Sequence, residues 1–498
     1  MAKAGHADEH DAVPVSMPAL PAVSRRCFIA ASGAVAASAA LASCTSISPN
    51  VTDPRRKEPQ TMAVDLTGIP NLCTHEHWGS IDAIGTVSEG YRADVECGAT
   101  PSRRVDLFDL LLDPYFHGHL CAAGDDPNSL ARQAKRKDFG VWAREAPQDA
   151  FSALSSVMTR HALTGTYQCT RRGVQRLYGV DISDADRLDL AALNARIARN
   201  YADIFGWYRQ TMQHGRFSGL IRPVHPEFYV REQSQATAKA EHAFTHTVMR
   251  IDPLLDLWRR DSPRRAGLAQ ITGVSPQDAG SWRAFLAKLF ELAERNGAVG
   301  IKQLQAYTRT LEFRPRDDTT VTWIGDLDPD QVTAFKDWVV HECCRLANDR
   351  GWPHQIHVGT HNLEQSSPLP LGALAERYPD VKLVLLHCWP FLEESGWLAK
   401  YHRNIYLDTC WMPVLNPAFY REAMRMWLTY VPTSKIMCAH DSTSIEMAVG
   451  SSLFARELLG QALGEQAHAL SLSSTALERV ALDILHNNGA AVYGMSRL

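Results

Sequence analysis

The 498-residue sequence predicts an α/β chain closed into a (β/α)8 barrel of the TIM type, and three observations carry that expectation. From about residue 298 onwards, short apolar runs alternate with amphipathic stretches of helical spacing. The apolar runs are nearly continuous rather than alternating, the pattern of parallel strands covered on both faces. The series is long, and a long run of strand–helix units is the signature of a closed barrel.

Taken in order, the first strand is read in IPNLCTHEHW (69–78). The second and third are GLIRPVHPEFY (219–229) and VMRIDPLLDL (248–257). The regular part follows with AVGIKQLQAY (298–307), HQIHVG (354–359), VKLVLLHCW (381–389), NIYLDTCW (404–411) and KIMCAHD (435–441). Between the fourth and fifth strands, DPDQVTAFKDWVVHECCRLAND opens with capping acids, keeps apolar residues at helical spacing, and stops before Gly351. About 130 residues separate the first two strands, mostly helical in pattern. A single βα connection is short, so residues from about 85 to 215 read as a helical insertion over the barrel mouth, placed as a lid.

The N-terminus reads differently. SRRCFIAASGAVAASAALASC (24–44) has Arg25 and Arg26 followed by Phe28 and an Ala-rich apolar stretch. That resembles a twin-arginine export signal. Its apolar run, about 17 residues, is weak for a permanent span. It ends in Leu41-Ala42-Ser43-Cys44, which resembles a lipobox, so residues 1–44 are expected to be a signal with a lipid-modified Cys44. An uncleaved tail or anchor helix is the plain alternative. Residues 45–63, rich in Ser, Thr, Pro and charge, read as a linker, and the barrel is expected over 64–498. The expected location is the periplasm or cell envelope, with membrane contact only through that lipid.

Net charge is −4 with no basic stripe, which argues against a nucleic-acid partner. The 11 cysteines include no C-x-x-C pair, so this is not a disulfide scaffold. A small-molecule substrate is the expected partner, and a homo-oligomer is compatible with the sequence.

Barrel enzymes carry their chemistry at the C-terminal ends of the strands. Those ends hold His75 and His77, Lys302, His357, His387 and Asp441. With 20 histidines, one H-x-H is expected by composition roughly once, and the chain has a second, His117 and His119. Alternate strand residues share a face, so His75 and His77 can point together into the mouth. His117 and His119 lack a strand leading in. His242 and His246, four apart in AEHAFTHTVM, read as a helix-surface pair. His440 alternates away from Asp441 and reads as packing.

The ordered set resembles the amidohydrolase superfamily, and within it the amidohydrolase-2 branch. The nodulin-like amidohydrolases are the nearer likeness and the uronate isomerases the more distant. The stretches that carry it are LTGTYQCTRRGVQRLYGV, GIKQLQAY, QIHVG, LVLLHCWPF, NIYLDTCW and LHNNGAAVYG, from about residue 66 to the C-terminus. Two departures stand out: Cys73 where many relatives have Asp, and His440 where a small residue often precedes the last Asp.

The resemblance implies Zn2+ or another divalent metal on His75, His77, His357 and Asp441, with one position open for water. Such a metal acidifies its water from about 15.7 towards 7. Asp441 would relay the water's proton, and His387 would polarise the substrate carbonyl or orient the nucleophile. Lys302 is expected to contact substrate or to be carboxylated and bridge two metals. Arg171 and Arg172 either clamp an acidic substrate or form a solvated helix face. Trp389 and Trp411 are expected to line the pocket, against the ordinary alternative of core. The function implied is a metal-dependent hydrolase cleaving an amide-like C–N, ester or lactone bond of a small substrate, an acidic one if the arginines clamp it. The alternatives are a decarboxylase or uronate-isomerase-like enzyme of the same branch, or a non-catalytic binding lipoprotein.

Overall fold

A computed structural model describes residues 63–77, 86–88, 91–92, 105–185, 187–230 and 245–498. The signal, lipobox and nearly all of the linker expected over 1–63 lie outside the described residues, as does His242. No helix among the described residues is long and apolar enough to cross a membrane.

Eight parallel strands form one sheet, each beside its neighbour in chain order. They are β1 (Asn71–Cys73), β2 (Phe217–Val224), β3 (Thr245–Arg250), β4 (Ala298–Gln303), β5 (His354–His357), β6 (Leu383–Leu386), β7 (Ile405–Asp408) and β8 (Ile436–Met437). Every expected strand is present, but the ladder stops short of the end of each apolar run. The residues of chemical interest therefore sit at or just beyond the strand ends, where the backbone is free to turn.

Alternate strand residues fall into two separate apolar clusters. Val248, Val384, Leu386 and Met437 belong to one, which continues into the helices between β1 and β2. Met249, Leu383, Leu385 and Leu407 belong to the other, which packs against the outer helices. This two-residue period is what puts Lys302, Gln355 and His357 on one face of their strands and Ile301 and Ile356 on the other. The helix Pro329–Asn348 starts as its sequence requires, with an Asp328–Gln331 capping box and Pro329 at its first position.

β1 and β8 stand at the two ends of the hydrogen-bonded order, and loop contacts join them. The Asp441 N–H donates to the His75 carbonyl at 3.1 Å, and the His77 N–H to the Ser442 carbonyl at 3.2 Å. The Ser442 N–H also donates to the buried Glu76 carboxylate. The seam of the barrel is thus closed by the loops that carry His75, His77 and Asp441.

Between β1 and β2 the described residues are mainly helices, from Leu107–Leu111 to Ile204–Gly215, besides a short strand pair Thr86–Ser88 and Tyr91–Arg92. Within this segment the helix Gly165–Tyr178 meets the helix Ile445–Leu470 backbone to backbone. A Cβ at Gly173 would lie 1.7 Å from the Glu446 carbonyl oxygen, and one at Gly450 1.7 Å from that of Cys169. Only glycine permits that approach. The Glu446 side chain, buried at the contact, accepts the Tyr178 and Tyr201 hydroxyls, each at 2.7 Å.

One sequence reading is corrected. His246 lies in β3, paired in register with Ile221 of β2, not on a helix. The i,i+4 spacing looked helical, but the Thr-His-Thr-Val-Met run has the β-branched content of a strand, and sheet pairing decided the outcome.

Candidate metal and substrate site

Asp441 is the hub. Its Oδ1 lies 2.8 Å from His77 Nε2 and 3.6 Å from His75 Nε2, while its Oδ2 lies 3.8 Å from His387 Nε2. All four residues are buried. Burial alone would push the Asp441 carboxyl up, but the charge and hydrogen bond of His77, 2.8 Å away, lead the influences that outweigh it and hold the group well below the usual range.

Hydrogen bonds behind two of the rings, His75 and His387, set their tautomers. Gln355 Nε2 donates to the Thr74 carbonyl at 2.8 Å and to the Tyr493 hydroxyl at 2.6 Å. Its Oε1 therefore faces His75 Nδ1, 2.8 Å away, as an acceptor. His75 must carry its proton on Nδ1, which leaves a bare lone pair on Nε2. That Nε2 is fully buried and has no hydrogen-bond partner among the described residues. His387 is arranged alike, with Nδ1 donating to the Cys410 carbonyl at 3.0 Å. Burial holds its pKa down at about 4, so the ring is neutral at pH 7. A neutral ring in this tautomer accepts through Nε2 and cannot donate to a substrate carbonyl.

The chain bends unusually to make this arrangement. His387, Asp441, Trp411 and Thr360 all have positive φ, at 67°, 51°, 64° and 63°. Such backbone is sparsely populated for side-chain-bearing residues and is held only where surrounding contacts over-determine it. At β6 it breaks the strand alternation: Leu386 already faces inward, and the left-handed turn at the next residue brings His387 to the mouth as well.

His357 sits one ring further out. Its centroid is 4.2 Å from that of His387, and its Nε2 lies 2.6 Å from the Thr360 hydroxyl. Lys302 is buried on β4, in register with Arg250 of β3. Burial first, and then the Arg250 charge, bring its pKa down to about 8. Trp389 is half-buried at the end of the β6 loop, its carbonyl accepting the Thr360 N–H at 2.8 Å. Arg171 and Arg172 stand apart from this group. Their guanidiniums are committed to Asp181 and Glu457, with Arg172 also over the Phe454 ring. His440 turns away towards Phe217 and Ser451.

Three contributors were missed in the sequence. Tyr115, on the helix Pro114–Ala122 within the insertion, brings its hydroxyl to 3.4 Å from Asp441 Oδ1 and packs on Trp411. Gln355 orients His75. Cys410 places its sulfur in ligand range of His75 and Asp441, the three ligand atoms lying within 4.8 Å of one another. Alternation from Asp408 could have flagged Cys410, and from His357 could have flagged Gln355; nothing local marks Tyr115. The donors fit a divalent metal: imidazole nitrogen with a buried free lone pair, a carboxylate and a soft sulfur, all converging.

Comparison with known proteins bears on the fold. Residues 199–437 match the family model described as amidohydrolase. The chain is 28% identical over 211 residues to protein fluG of Emericella nidulans, which covers 35% of this chain and 24% of that protein. The chain thus spans about a quarter of the length of this curated relative. A uronate isomerase from Bacillus halodurans superposes with TM-score 0.61 at 15% identity, over 86% of this chain and 94% of its own. A glucuronate isomerase from Caulobacter crescentus gives 0.62 at 15%, over 87% and 92%. A Lactobacillus casei protein provisionally described as a metal-dependent hydrolase gives 0.53 at 17%, over 87% and 98%. At these identities the superpositions speak for the fold.

Proposed function

From the match of residues 199–437 to the amidohydrolase family model, we propose that the chain is a metal-dependent hydrolase acting on an amide-like C–N, ester or lactone bond of a small anionic substrate. The observation that carries the proposal is the buried, unpartnered His75 Nε2, pre-oriented by Gln355 towards the same carboxylate that His77 and His387 face. An unsatisfied buried acceptor is costly, about 1–3 kcal/mol, and a ligand that uses the lone pair removes the cost.

His75, His77 and Asp441 would hold the metal, with His357 beside them, and zinc is the ion their donor types suit. The chemistry a bound divalent metal supplies is Lewis acidity, including acidification of water. The chain's own residues do the rest. Asp441, ionised among three imidazoles, accepts the proton of the attacking water and returns it to the leaving nitrogen or oxygen. His387 accepts a hydrogen bond from that water and so aims it. Lys302 and Arg250 form a cationic wall that suits a substrate carboxylate. The rings of Tyr115, Trp411 and Tyr307 line the mouth and limit bulk water there.

The test is turnover of N-acyl amino acids, esters and lactones in 18O-water by the metal-loaded full chain. Hydrolysis places solvent oxygen in the new carboxylate. Interconversion of uronates, or loss of CO2, without a hydrolytic product would replace this reading by the isomerase or decarboxylase one. Metal bound with no turnover on any of them would leave a binding protein. We further propose export by the twin-arginine route and lipid attachment at Cys44, on the strength of residues 24–44 alone. Cell fractionation of the wild type beside Cys44→Ala checks it: the wild type is expected with membranes and the variant is not.

A further inference from the structure

We infer that Cys410 is a thiolate ligand of the metal, so that the centre has a His–Cys–Asp donor set rather than histidines and carboxylate alone. The inference rests on the metal reading above and adds a ligand that the strand-end pattern did not include.

Cys410 lies two residues beyond Asp408, the last residue of β7, and so shares its inward face. It is fully buried, in the apolar cluster that fills the barrel interior rather than the one under the outer helices. Its backbone is held on both sides. The Cys410 N–H donates to Asp408 Oδ1 at 3.0 Å, and its carbonyl accepts His387 Nδ1 at 3.0 Å. The next residue, Trp411, turns the chain away with φ +64°. Hydrogen bonds to Asp408 and His387 thus fix this peptide, and the same His387 contact that sets the ring's tautomer sets the position of the sulfur.

A buried free cysteine is most often a small packing residue. Seven of the eight free cysteines among the described residues are buried. Only Cys410 among those seven has a histidine nitrogen and a carboxylate oxygen together within ligand range; the other cysteine so placed, Cys121, is exposed. A thiolate here has a consequence for the ion. Soft sulfur favours zinc and disfavours magnesium or manganese, which prefer oxygen. The site would therefore discriminate between ions through one residue of the seventh strand.

The experiment is zinc X-ray absorption on the full-length chain loaded with one equivalent of zinc, in a Cys121→Ser background that removes the exposed thiol cluster. A sulfur scatterer at about 2.3 Å, beside nitrogen and oxygen at about 2.0–2.1 Å, is expected. It should vanish in Cys410→Ser and Cys410→Ala, with zinc affinity down by at least the ~10–100-fold that changes behind the ligands cost. A zinc site with nitrogen and oxygen scatterers only would overturn the inference and leave the metal reading standing. Failure to bind zinc at all would overturn both. The wild-type spectrum decides even where a Cys410 variant does not fold.

Discussion

Two clusters in this molecule contain the same three residue types. His75, Cys410 and Asp441 meet at the barrel mouth; His117, Cys121 and Asp126 meet on the insertion. In the second, His117 and Cys121 are one helical turn apart, with Nε2 and Sγ at 3.5 Å. Asp126 caps the following helix, its carboxylate accepting the Asn128 N–H at 3.0 Å and the Ser129 hydroxyl at 3.2 Å. Cys121 is exposed, and water competes for every ligand atom. At the mouth the imidazoles are dry, the tautomers of His75 and His387 are set from behind, and one lone pair has nowhere else to go. A third pair completes the contrast. His354 and Cys344 touch at 3.5 Å, both buried, and among the described residues no carboxylate joins them in a ligand cluster. Residue types alone do not make a site; burial, convergence and preset lone pairs must coincide.

The sharpest break of that contrast is His75→Ala with His77→Ala. Metal should be lost and kcat/KM should fall on the order of a thousandfold or more, about 4 kcal/mol in transition-state terms. Metal analysis and a thermal melt on the same sample check it; full metal retention in a folded variant would show that the mouth is no different from the surface cluster.

Gln355→Leu probes the preset tautomer. Metal affinity should drop ~10–100-fold, read by competition with a chelator, because His75 no longer has its Nδ1 proton held in place. The acid response of the third pair comes next. Burial holds His354 at about 3, below its ordinary value near 6.5. Its contribution to stability is therefore complete above about pH 6.5 and is lost as pH falls towards 3. By pH 5 the loss is about 2 kcal/mol. His354→Gln should flatten that part of the stability curve in denaturant melts between pH 7 and 5; an unchanged slope would show that His354 is not the group responsible.

Tyr115→Phe removes one hydroxyl from Asp441 and should cost about tenfold in kcat/KM, roughly 1.4 kcal/mol, with the melt unchanged. An unchanged kcat/KM would make Tyr115 a wall of the pocket only. The smallest effect is expected of Cys121→Ser, which should move neither metal stoichiometry nor affinity by more than about twofold. A lost equivalent of metal there would promote the surface cluster to a site.

Much of this was legible before folding was considered. The eight strands, the helical segment after the first, and His75, His77, Lys302, His357, His387 and Asp441 follow from apolar runs and from what stands at their ends. The errors and omissions share a cause. His246 was misassigned because a four-residue spacing is ambiguous until a neighbouring strand pairs with it. Tyr115 meets Asp441 across 326 residues, and Gln355 meets Tyr493 across 138. No local periodicity encodes such meetings.

The sequence by itself determined which residues stand at strand ends, because strand period and order are local properties of the chain. Tertiary structure decided which of those residues converge, which nitrogen of each imidazole is bare, and that a cysteine joins them. Those depend on hydrogen bonds and left-handed turns at His387, Trp411 and Asp441, which exist only once β1 and β8 are brought together.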